Sequence, residues 1–132
     1  MGYITNFSGD LQIAGAITPE QLQELESFTN MRHCRGDDSN ERLAYAPSLW
    51  CDWRIVQCND GSVVMYAIDG KNYHFKDWLE LIIKRFFKPW GLSANGLIQW
   101  QGEDPEDMGR LDVRSNHVRT LYAQITFTSN DD

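Results

Sequence analysis

Four carboxylates fall within five positions, Glu103, Asp104, Glu106 and Asp107, between Gly102 and Gly109, with Pro105 among them and Trp100-Gln101 just before. Crowding like charge this closely costs self-repulsion that a plain connecting turn would not need. Two kinds of chemistry could use it. Carboxylate oxygens bind hard cations, and with Asp112 as a further donor the segment has the composition of a Mg²⁺ or Ca²⁺ loop, the basis for a small metal-dependent hydrolase. Its spacing is not that of an EF-hand, and no Lys or His lies between positions 95 and 113 to assist catalysis. The other chemistry is recognition: an indole at Trp100 beside Gln101, Glu103, Asp104, Glu106 and Asp107 pairs an aromatic anchor with a negative rim, a composition suited to gripping a basic protein surface. Trp50 is a second candidate contact, because it alternates away from Cys51, Trp53 and Ile55 on what reads as one strand.

The remaining reactive residues do not form a catalytic or metal pattern. Zinc would need Cys34, Cys51, Cys58, His33, His74 and His117 to converge, yet Cys51 and Cys58 are an odd number of positions apart on one strand and no Cys-x-x-Cys occurs. Phosphate-binding glycine loops, nucleophile elbows and dinucleotide fingerprints are missing from the sequence, so no cofactor is implied and a binding role is preferred over an enzymatic one.

At 132 residues, with 42% hydrophobic residues and 16 aromatics, the chain is expected to be one domain that buries its own core. The formal charge is −7, with −4 over residues 1–30, +3 over 71–100 and −4 over 101–132. Such an acidic balance disfavours nucleic acid and favours a basic partner. No apolar run approaches the roughly 20 residues of a membrane span, and the three cysteines suit reduced thiols, so a cytoplasmic protein is expected.

The elements that must position the acidic segment are legible in the hydrophobic periods. Residues 2–14 alternate as a first strand, broken near Ser8-Gly9-Asp10. Thr18-Pro19-Glu20-Gln21 opens a helix with a capping box. Residues 31–48 have no period and read as a long loop. Leu49–Gln57 and Ser62–Ile68 form a hairpin about Cys58-Asn59-Asp60-Gly61. Phe75, Trp78, Leu79, Ile82, Ile83, Phe86 and Phe87 mark a second helix, closed by Pro89. Strands follow at 97–101, 110–114 and 117–127, with a frayed tail over 129–132. The order β-α-β-β-α-β-β-β predicts an α+β fold: an antiparallel sheet with two helices packed on one face, a split β-α-β, ferredoxin-like arrangement with a sheet edge open to homodimerisation.

Met1-Gly2-Tyr3 with Thr5, Leu49-Trp50-Cys51-Asp52-Trp53, Trp78-Leu79, Pro89-Trp90-Gly91, Asn95-Gly96, Trp100-Gln101-Gly102-Glu103-Asp104 and Asn116 with Val118 resemble a group of small uncharacterised proteins encoded by phages and prophages. The likeness spans most of the chain outside residues 30–48. It carries no activity, but implies an accessory protein that binds a host protein, as an inhibitor of a host enzyme or antiviral defence complex. A module that captures a small ligand is the further alternative.

Overall fold

A computed structural model describes residues 2–33, 47–48 and 50–129. The fold is α+β: seven antiparallel strands carry two main helices on one face. The strands are β1 (Asn6–Ser8), β2 (Leu11–Ala14), β3 (Trp53–Gln57), β4 (Val63–Ala67), β5 (Ser93–Gln101), β6 (Met108–Arg114) and β7 (His117–Tyr122). They lie in the order β3-β4-β2-β5-β6-β7, with β1 beside the far end of β5. Six strands were expected. The seventh arises because the first divides at Gly9, where φ is +92° and an added Cβ would meet the Leu97 carbonyl, so β1 and β2 pair separately with residues 99–101 and 93–96.

Helix α1 (Pro19–Asn30) begins where its sequence dictates. Thr18 Oγ1 accepts from the Gln21 amide at 3.1 Å, and Gln21 Oε1 accepts from the Thr18 amide at 3.0 Å. Its last turn is tied to the sheet by Arg54, whose guanidinium donates to the carbonyls of Thr29 and Cys51, both at 2.9 Å. Helix α2 (Phe75–Ile82) continues as a π-helical segment, Ile83–Phe87, and a last turn α3, Lys88–Trp90. Pro89 therefore does not end the helix as expected. The wider turn ahead of it hands the Lys88 amide to the Ile83 carbonyl, and the helix stops two residues later at Gly91 with φ +72°.

One core lies between the helices and the sheet. Trp78, Leu79, Ile82 and Phe87 from the second helix meet Leu11, Trp53, Met65, Ile98 and Leu111 from the sheet, all at most 1% exposed. The hairpin between β3 and β4 forms at Cys58–Gly61, with Asp60 Oδ1 accepting from both the amide and hydroxyl of Ser62, and those bonds hold its carboxyl below the ordinary value. Ser115 and Asn116, both at positive φ, make the β6–β7 turn. β7 stops at Tyr122, short of the expected 127, and residues 123–129 are exposed. Cys51 is buried, which pushes its thiol up to about 12, whereas Cys58 is exposed. Cys34 and most of the 31–48 segment lie outside the described residues, as do residues 130–132 of the tail expected to fray over 129–132.

His33 closes α1. Its Nε2 donates to the Phe28 carbonyl at 2.8 Å, and its ring packs on Phe28 and Trp78. Burial pushes the imidazole below its ordinary value, the Phe28 carbonyl pulls against this, and the Arg85 charge adds to the lowering. The folded protein thus resists a proton that the unfolded chain accepts near pH 6.5, so this contribution to stability is present above that pH and falls as the pH drops through it. In thermal unfolding the loss of Tm between pH 7.5 and 5.5 is expected to be smaller for His33→Gln than for wild type. Equal losses would show that His33 does not carry the linkage.

Candidate functional site

The acidic segment is the loop between β5 and β6. The Gly102 amide donates to the Asp107 carbonyl at 2.7 Å and the Asp107 amide to the Asp104 carbonyl at 3.0 Å, while Gln101 Nε2 ties down the Gly102 and Asp104 carbonyls at 3.1 and 3.2 Å. Two of the four carboxylates are committed to the N-terminal segment. Glu103 Oε2 accepts from the Ile4 amide at 2.6 Å. Asp107 Oδ2 accepts from the Tyr3 hydroxyl at 2.6 Å, and its Oδ1 accepts from Trp100 Nε1 at 3.0 Å. The Tyr3 hydroxyl in turn accepts from the Asp104 amide at 3.1 Å. The bond to Asp107 is the main reason the Tyr3 phenol is held above its ordinary value.

Trp100 is 5% exposed and belongs to the core, contrary to its expected place as a surface anchor. It shares a face of β5 with Ile98, and its ring lies over Gly109 on β6, where an added Cβ would collide with it. Phe75 and Tyr122 complete its surroundings, with ring centroids 5.4 and 5.8 Å away. Trp50, by contrast, is 52% exposed as expected, but it bridges to Arg32 and is not part of the acidic loop's surroundings. The structure therefore brings together Trp100, Gln101, Glu103 and Asp107, leaves the Asp104 and Glu106 side chains exposed beside them, and places Trp50 elsewhere. Among the described residues no three His, Cys, Asp or Glu side chains gather in a metal-binding group.

Beside this node a cleft of 350 Å³ opens between the start of α2 and the β6–β7 edge of the sheet. Tyr3, Tyr73, Phe75, Trp100 and Tyr122 give it aromatic walls, and Asp107 and Asp77 supply carboxylates. Lys76 and His74 also line it, with His74 Nδ1 3.8 Å from Asp77. Tyr73 and Tyr122 are 53% and 73% exposed and form its lips. Thr120 and Tyr122 point to the helix side because they pair with Leu111 and Gly109, yet the helices do not reach far enough to cover them. Thr120 Oγ1 is buried with no hydrogen-bond partner among the described residues. Tyr3, Tyr73, Thr120 and Tyr122 were not singled out from sequence. They come from three distant segments, and the one available signal was the alternation that sets Thr120 and Tyr122 on a common face.

Comparisons with protein-family models, with curated proteins and with solved structures find no match to this chain.

The committed and uncommitted acids are expected to separate in urea unfolding. Asp107→Ala leaves the Trp100 indole and the Tyr3 phenol without their acceptor and should cost about 1–3 kcal/mol. Glu106→Ala should stay within about 0.5 kcal/mol of wild type. Gly109→Ala, which drives a methyl group into the Trp100 ring, should lose about 1–3 kcal/mol. Equal stability of the Asp107 and Glu106 variants would show that the loop is not a structural tether.

Proposed function

We propose that the protein acts by binding rather than by catalysis, as a phage or prophage accessory protein that engages a basic face of a host protein and thereby inhibits a host enzyme or antiviral complex. The observation that supports this reading is the pair of half-open tyrosines, Tyr73 and Tyr122, set around an aromatic cleft next to the exposed carboxylates of Asp77, Asp104 and Glu106. Exposed aromatics supply contact area at little entropic cost, and surplus negative charge steers a positive partner and sets its register. The overall charge of −7 acts in the same direction. The hydrolase alternative has less support, because among the described residues no three His, Cys, Asp or Glu side chains gather in a metal-binding group. We also infer that β2-α1-β3-β4-α2-β5, whose strands stand in the order β3-β4-β2-β5, is a split β-α-β unit of ferredoxin-like kind, widened by β6 and β7.

Immobilised wild type and a Tyr73→Ala/Tyr122→Ala variant, exposed to host lysate at low and at about 0.5 M salt, test the binding reading. The expected outcome is a partner held by wild type at low salt, released at high salt and missing from the variant. Identical partners on both proteins would remove this face from the reaction.

A further inference from the structure

The occupant of the cleft can be named more closely from its chemistry, an inference that rests on the binding reading above. Its walls are aromatic rings, whose faces attract cations. Its carboxylates, Asp77 and Asp107, outnumber its lysine, Lys76, which is half-exposed on a flexible stem, and Glu103, Asp104 and Glu106 stand on the same loop as Asp107. A cation is therefore favoured over an anion. Two features further restrict which cation. Each Asp107 oxygen accepts one hydrogen bond from the protein and keeps capacity for another, and Thr120 Oγ1 accepts none. A quaternary ammonium has no N–H to offer them. A guanidinium has five in a planar fork and also stacks its flat face on aromatic rings. A volume of 350 Å³ is at the small end for ligand clefts and suits one inserted side chain better than a folded segment.

We propose that the cleft between Tyr73 and Tyr122 receives an arginine side chain of the partner protein, its guanidinium stacked on the aromatic wall and donating to Asp107 and Thr120. A buried hydroxyl without a partner costs stability in the free protein, and an arriving guanidinium N–H gives its oxygen a donor. That sets stability and binding in opposition at a single residue.

Titration of the full chain with N-acetyl-arginine amide, following the Trp100 indole N–H resonance by NMR, tests this assignment. A saturable shift with a millimolar Kd is expected, several-fold weaker for N-acetyl-lysine amide and missing for N-acetyl-citrulline amide, which has nearly the same shape without the charge. Thr120→Val should weaken the arginine probe about threefold to tenfold while unfolding at the same or higher urea concentration than wild type. No saturable shift, an equal response to citrulline, or unchanged affinity in Thr120→Val would overturn the proposal. Free arginine binding more tightly than its blocked amide would overturn the assignment to a protein-borne side chain. If the probe is silent while lysate capture still depends on Tyr73 and Tyr122, the cleft assignment falls and the docking face stands. If the probe behaves as expected and nothing is captured, the docking reading falls and the guanidinium chemistry stands.

Discussion

The Asp107 carboxylate ties together three parts of the chain where β1, β5 and the β5–β6 loop converge. Through one oxygen it takes the indole N–H of Trp100 on β5, through the other the hydroxyl of Tyr3, and its own backbone closes the loop that carries it. Without that acceptor the indole would be a buried donor with no partner, a cost comparable to the hydrogen bond itself. The N-terminal segment depends on the same node. Tyr3 is fixed at its hydroxyl by Asp107 and Asp104 and at its amide by Tyr73, and two residues later Thr5 exchanges backbone bonds with Gly70. Chain ends fray unless something ties them down. Here the tie is made by an acidic loop a hundred residues away.

The cleft follows from the width of the sheet. Two helices cover β2 to β5 and part of β6, where Leu111 and Val113 are buried, but β7 extends beyond them: its helix-side residues Val118 and Thr120 are half-buried and Tyr122 is exposed. A wider helical layer would seal this gap. What remains is floored by Trp100 and Leu111, walled on one side by the start of α2 and closed at one end by the Tyr3–Asp107 pair. The node that secures the N-terminus thus also shapes the cleft.

Local chemistry was legible where it was strong. The Thr18–Gln21 capping box, the Asp60-Gly61 hairpin and the stripe from Trp78 to Phe87 are decided by neighbours within a few residues, and each appears where its pattern placed it. The break at Gly9 was legible for the same reason. Helix continuation through Pro89 was not, because nothing in the local pattern announces a π turn. The candidate site was half legible. Its acidic loop stood out by composition, but whether a carboxylate faces solvent or a hydrogen-bond donor depends on long-range partners: Tyr3 lies 104 residues from Asp107. Trp100 was misplaced for a related reason. Its flanking glutamines suggested exposure, whereas alternation along β5 turns the indole inward while Gln99 and Gln101 face elsewhere.

Charge crowding in the loop is therefore two phenomena under one composition. Glu103 and Asp107 repel each other and their neighbours, but each accepts strong hydrogen bonds from amide, phenol or indole donors, and charge-assisted bonds of that kind offset repulsion that falls off quickly in water. Asp104 and Glu106 have no such return. The Asp104 backbone serves the turn, and the carboxylates of both residues are left in solvent, adding to the field around the cleft. A loop built only to tether Tyr3 would work as well with neutral residues at those two positions and would avoid their mutual repulsion. On the proposed binding role, that surplus charge would steer a positive group toward the aromatic cleft beside it.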